Sequence, residues 1–254
     1  MRLQVYLARS GYGSRRKCED LIREGRVRVN SFVATLGMKV TENDKVELDG
    51  HIVSKTDKKI YVMLNKPRDY LVSKGDERGR KTVFDLLTMD DDIKKSLFSV
   101  GRLDFDTTGL LLFTNDGLFA HKLAHPRGDI EKTYVAKIRG IINRPAMAKL
   151  RRGLRVPIKF GHRVGNYKTM PAKVRLMNKG KSFSMLEIVI KEGKKRQIRQ
   201  MLKTVGFPVI SLQRIQIANL SLGRLELGKW RYLKIICLHQ CPKLIQVHLY
   251  QAVL

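Results

Sequence analysis

The sequence predicts an α+β fold in two parts, and three observations lead there. Strand-like and helix-like patterns are mixed along the 254 residues without the strict alternation of a doubly wound α/β sheet. The first 50 residues form a short helix-and-strand pattern of their own, separated by a polar stretch from a longer region. Lys and Arg outnumber Asp and Glu 51 to 23, and the excess is uneven: residues 131–203 hold 21 basic against 3 acidic side chains, residues 1–50 only 10 against 7. A net charge of +28 with 43% hydrophobic residues describes a chain that has a core and meets a polyanion, nucleic acid before membrane.

In the first part, Ser14 is placed to cap a helix and Gly25 to end it. Cys18, Leu21 and Ile22 share the apolar face of that helix, and Arg15, Arg16 and Arg23 fall largely elsewhere. Arg26-Val27-Arg28-Val29 then alternates as a half-buried strand does. Basic groups on a helix and on the following strand can converge on phosphate, or they can be ordinary solvated arginines. Residues 51–60 read as a linker.

The second part opens with a strand at Tyr61–Leu64, followed by a charged, glycine-containing loop over 68–82. Thr82–Leu87 reads as the start of a short helix. Leu110, Leu111, Leu112 and Phe113 read as a buried strand or helix turn. Further strands are expected at 132–139, 171–177 and 183–191. A helix is expected over 194–205, with Ile198, Met201, Leu202 and Val205 on one face. Cys18, Cys237 and Cys241 form no disulfide framework, which favours a reducing compartment. Cys237, His239 and Cys241 match no standard zinc spacing, so no metal is expected. No leader pattern opens the sequence and no uninterrupted apolar run of 18 residues occurs, so a cytoplasmic protein is expected.

Three blocks offer chemistry. Gly101–Gly117 (GRLDFDTTGLLLFTNDG) sets Asp104 on the shoulder of a buried element, with Arg102 two residues before it. Asp106 precedes Thr-Thr-Gly and suits a turn or cap, and Asp116 lies in an Asn-Asp-Gly turn. Asp104 with Asp106 also has the form of a divalent-metal pair. Tyr134 on a strand suits core packing, or a platform for an unstacked base. Glu192–Arg199 places Arg196 and Arg199 on one helix face, where one can pair with Asp104 and the others can bind phosphate.

In this order, the blocks resemble the ribosomal-RNA pseudouridine synthases that carry an N-terminal S-four-type (S4-like) RNA-binding domain. Leu64-Asn65-Lys66-Pro67, Thr82–Leu87 and Leu212–Leu233 support the likeness, which spans residues 2–233. It implies a small RNA-binding domain over 1–50 and a linker over 51–60. It also implies a catalytic domain over 61–233 with a mixed, mainly antiparallel sheet flanked by helices, and a divergent extension over 234–254. It implies Asp104 as the catalytic aspartate, Tyr134 as the base-stacking residue, Arg199 as the aspartate's basic partner, and Arg102 as a holder of the flipped nucleotide or its neighbouring phosphate. Arg15, Arg16, Lys17, Arg26, Arg28, Lys66, Lys195 and Arg196 are implied to face RNA.

The implied reaction breaks the N-glycosidic bond of a uridine, turns the uracil and forms a bond to carbon five. Asp104 acts as nucleophile or as base, and no cofactor is needed. The implied partner is ribosomal RNA or a ribosome-assembly intermediate, met by a monomer. The large-subunit branch is favoured over the small-subunit one. A non-catalytic assembly factor on the same fold and a magnesium-dependent nuclease using Asp104 and Asp106 are the rival classes. Residues 155–170 are more basic than the family loop, and Gln200 stands where a further basic residue is common.

Overall fold

A computed structural model describes residues 1–53, 58–124, 129–160, 163–236 and 246–248. The N-terminal part packs α1 (Leu3–Arg9) and α2 (Arg15–Arg23) on a small sheet of β1 (Val27–Val29), β2 (Phe32–Val33), β3 (Val46–Leu48) and β4 (His51–Ile52), in the order β2-β1-β3-β4. Ser14 caps α2 by accepting from the Lys17 amide at 3.1 Å, and Gly25 follows the helix at φ +71°. Cys18, Leu21 and Ile22 bury in one core with Leu3, Leu7, Val27 and Val46. Val53 completes that core, and its carbonyl accepts the Tyr6 hydroxyl at 3.0 Å. The expected linker is thus corrected: its first three residues belong to the N-terminal unit, because β4 pairs with β3. Residues 54–57 lie outside the described part.

The second part begins with β5 (Tyr61–Lys66). A 3₁₀ turn (Val83–Leu86) follows, closed by a capping box between Thr82 and Asp85. The expected short helix there is therefore only one tight turn. Next come α3 (Asp91–Ser96), β6 (Phe98–Val100), β7 (Thr108–Thr114), α4 (Gly117–Ala124), β8 (Lys132–Arg139) and α5 (Arg144–Arg152). In the basic stretch after α5, β9 (Arg155–Phe160) pairs antiparallel with β10 (Arg163–Lys168). The chain continues with β11 (Lys173–Lys179), β12 (Phe183–Ile190), α6 (Gln197–Thr204), β13 (Val209–Ile217), β14 (Leu220–Ser221) and β15 (Trp230–Tyr232). Within 234–254, β16 (Lys234–Ile236) pairs with β17 (Gln246–His248). Cys237, His239 and Cys241 lie outside the described residues.

The main sheet runs β11-β12-β8-β13-β7-β5-β15, with β6 and β14 as side pairs. Every neighbouring pair is antiparallel except β13 with β7. This is the mixed, mainly antiparallel α+β sheet that was expected. Leu110 to Phe113 are almost wholly buried, as a strand covered on both faces requires. Each such side chain contributes about 1.5–3 kcal/mol relative to exposure. Their alternation feeds two cores: Leu111 and Phe113 on one side of the sheet, Leu110 and Leu112 on the other. Gly109 is what lets β7 lie parallel to β13. Its φ is +105°, and a Cβ there would sit 2.2 Å from the Arg214 carbonyl oxygen. That contact sets the middle of the sheet, where the Asp104 loop enters β7.

Candidate active site

The loop 101–107 joins β6 to β7 and is held from beneath by Lys66, the last residue of β5. Lys66 is fully buried. Its Nζ donates to the carbonyls of Pro67 (2.9 Å), Asp104 (3.3 Å), Phe105 (3.3 Å) and Thr107 (3.1 Å). The expectation that Lys66 faces RNA is therefore corrected: it is a staple under the loop. Burial pulls its pKa down to about 8, against the opposing charges of Asp69, Asp106 and Asp104. The Thr107 amide donates back to the Asp104 carbonyl at 3.1 Å, and the Asp69 amide to that of Phe105 at 2.9 Å. The loop backbone is thus fixed, and the half-buried Asp104 side chain stands at the rim of a cleft of about 850 Å³. Among the described residues its carboxylate forms no salt bridge.

The second carboxylate of the loop has a different task. Asp106 receives Arg196 in a two-pronged pair, with Nη1 and Nη2 each 3.0 Å from one oxygen. Arg199 Nη2 approaches the same carboxylate at 3.2 Å and donates to the Asp106 carbonyl at 2.9 Å. Burial pushes the Asp106 carboxyl up, but Arg196 and Arg199 outweigh it and hold it below the usual range. The expected Arg199–Asp104 pair is corrected accordingly. The spacing of the two arginines on α6 is as expected, but both close on the residue two places further along. Asp104 still acts through space, favouring the charged forms of Lys66, Arg196 and Arg199. Arg196 adopts φ +54° at the start of α6, and this left-handed residue begins the helix later than the expected residue 194. Asp106 is therefore a clamp between α6 and the loop. With two guanidinium groups on it, it is no longer available as the second ligand of a metal pair.

Tyr134 is 8% exposed: it belongs to the core, as one of its two readings expected, and it also lines the same cleft as Asp104. Arg102, Lys195 and Arg196 line the cleft as well, with Arg102 and Lys195 exposed at its mouth. On the N-terminal part, Arg15, Arg16, Lys17 and Arg28 are exposed. Arg26 is exposed too but committed, holding Asp49 through Nε (2.9 Å) and Nη2 (2.6 Å) and Glu24 through Nη1 (3.2 Å).

A sequence model described as RNA pseudouridylate synthase matches residues 60–204, and one for the S4 domain matches residues 1–46. The chain belongs to the RNA pseudouridylate synthase family. It is 43% identical over 235 residues to the protein of Bacillus subtilis named "Ribosomal large subunit pseudouridine synthase B", covering 91% of each chain. It is 39% identical to an Aquifex aeolicus protein named "Uncharacterized RNA pseudouridine synthase", covering 92% of this chain and 90% of that one. Among solved structures, one titled "Crystal structure of pseudouridylate synthase" superposes with a TM-score of 0.64 at 27% identity, covering 92% and 96% of the two chains.

The chain is accordingly an isomerase-family enzyme with an RNA-binding domain at its N-terminus. In this pseudouridine synthase, sequence reasoning missed three residues that line the cleft. Phe105, beside Asp104, is 42% exposed. Lys132 and Arg214 lie on β8 and β13. Arg214 gave no clear signal, because the register of β13 against β8 shifts twice, once directly after Arg214, and breaks the alternation. No helix among the described residues is long and apolar enough to cross a membrane.

Proposed function

We propose that the chain converts a uridine of large-subunit ribosomal RNA to pseudouridine, in the cytoplasm and as a monomer, with Asp104 as the catalytic residue. The observation that carries the substrate is the 43% identity to a protein named for that activity, over nine-tenths of both chains. Asp104 is the one loop carboxylate left without an ion pair among the described residues, on a backbone stapled by Lys66. The target uridine leaves its stack and lies on Tyr134. The Asp104 carboxylate then either attacks the ribose anomeric carbon or takes the neighbouring sugar proton, and the glycosidic bond breaks. The freed uracil turns on Tyr134 and bonds through carbon five to the anomeric carbon, as the ester to Asp104 breaks or as Asp104 returns the proton it took from the sugar; carbon five then loses its proton to solvent, and the former glycosidic nitrogen takes one up. Arg102 and Lys195 hold phosphate at the mouth of the cleft, and Arg199 acts on the reacting aspartate through the loop it clamps. Arg15, Arg16, Lys17 and Arg28 bring the RNA to the N-terminal domain.

Release of tritium from ribosomal RNA labelled at carbon five of uridine tests the reading. Wild type releases tritium with or without a chelator. Asp104→Asn, folded and still binding RNA, is slower by about 10³-fold or more. A chelator-sensitive RNA cleavage would favour a nuclease instead. RNA binding with no tritium release would favour an assembly factor.

A further inference from the structure

The floor of the cleft holds two cations that the proposed chemistry does not use. Arg214 is 3% exposed. Its Nε donates to the Leu110 carbonyl at 2.8 Å, but its buried Nη2 has no hydrogen-bond partner among the described residues. A buried guanidinium donor left empty is costly and calls for a ligand. In the sheet register Arg214 lies opposite Tyr134, and Lys132 is two residues before Tyr134 on the same strand and hence on the same face. All three line the cleft. Among the described residues, Lys132 Nζ has one long contact, 3.5 Å to the Ile130 carbonyl. Burial and then the neighbouring Arg214 charge push its pKa down.

We propose that Lys132 and Arg214 together bind a backbone phosphate of the RNA, at the nucleotide whose base stacks on Tyr134. The proposal rests on the uridine reading above and gives that site a subsite. A neutral carbonyl or hydroxyl satisfies one donor but leaves two adjacent like charges unopposed, whereas a phosphodiester answers both. The guanidinium fork fits phosphate oxygens and the ammonium supplies a second point charge. A phosphate held here fixes the register of the flipped nucleotide while leaving Asp104 free to react.

The test compares the binding of uridine with the tighter of uridine 5′-monophosphate and uridine 3′-monophosphate, on the full chain, for wild type, Lys132→Gln and Arg214→Gln. Wild type is expected to prefer the nucleotide by about tenfold or more. Each variant is expected to bring that ratio towards one with uridine affinity unchanged. Arg214→Gln also loses the Leu110 contact, so melting is measured in parallel and Lys132→Gln decides alone if Arg214→Gln does not fold. A wild-type ratio near one overturns the proposal, as does a ratio unchanged in the folded variants. Equal weakening of uridine and nucleotide overturns it too, by placing these side chains on the base or sugar. Pseudouridine formation by wild type is assayed separately; if that fails, the uridine reading falls while the nucleotide ratio still judges the subsite.

Discussion

At the scale of single residues, one buried lysine fixes the backbone of the loop that carries the proposed catalytic aspartate. Lys66 reaches four carbonyls on two chain segments, so its removal loosens the Asp104 backbone and orphans buried acceptors together. Lys66→Met is expected to lose about 1–3 kcal/mol of stability near neutral pH, measured by urea unfolding. The pH dependence has a definite sign. With the folded pKa at about 8 and the ordinary value at 10.5, the folded state has shed a proton between these limits that the unfolded state keeps. Stability carried by this group therefore rises with pH across that window. Unfolding free energies of wild type minus Lys66→Met should increase from pH 8 towards pH 10. The sequence could not show this role, because a lysine next to proline in a basic chain looks like a solvated cation. Only the pairing of β5 with β7 brings it under the loop. The partner of Arg199 was hidden in the same way: helix spacing put Arg196 and Arg199 on one face, but the choice of Asp106 over Asp104 depends on how α6 docks.

At the scale of elements, the parallel contact of β7 and β13 joins the Asp104 loop to the strand that carries Arg214. Gly109→Ala places a methyl group against the Arg214 backbone and is expected to cost about 3 kcal/mol or more, or to prevent folding, as read by thermal melting. An unchanged melting temperature would mean the strands can part there without loss. Elements with a strong local period were legible: α2 with its Ser14 cap, β8 from Lys132 to Arg139, and β12 lacking only the expected final residue. Those fixed by distant partners were not. β4 looked like linker because two exposed residues show no period, yet β3 recruits them. The start of α6 was misplaced because Arg196, a non-glycine residue at positive φ, is held by Asp106 rather than by any local rule.

At the scale of the whole molecule, a +28 chain carries the cleft beside Asp104 in a separate core from its S4 domain. Composition made the polyanionic partner legible, and the ordered blocks around Asp104, Tyr134 and Arg199 made the family legible. The burial of Arg214 needed the folded sheet. Binding of single-stranded ribosomal RNA fragments should weaken with salt: the six basic side chains proposed at phosphate, at a slope of about 0.7 each, give roughly a 300-fold loss from about 50 to 200 mM. Arg15→Gln, Arg16→Gln and Lys17→Gln combined should reduce that slope by about two, and an unchanged slope would remove these side chains from the interface. The central claim is that Asp104 makes pseudouridine at a site in large-subunit ribosomal RNA. Its most direct test is pseudouridine mapping of both ribosomal RNAs from cells lacking this gene, complemented with wild type or Asp104→Asn. One large-subunit site should disappear, and wild type alone should restore it. Persistence of every site, or restoration by Asp104→Asn, would contradict it.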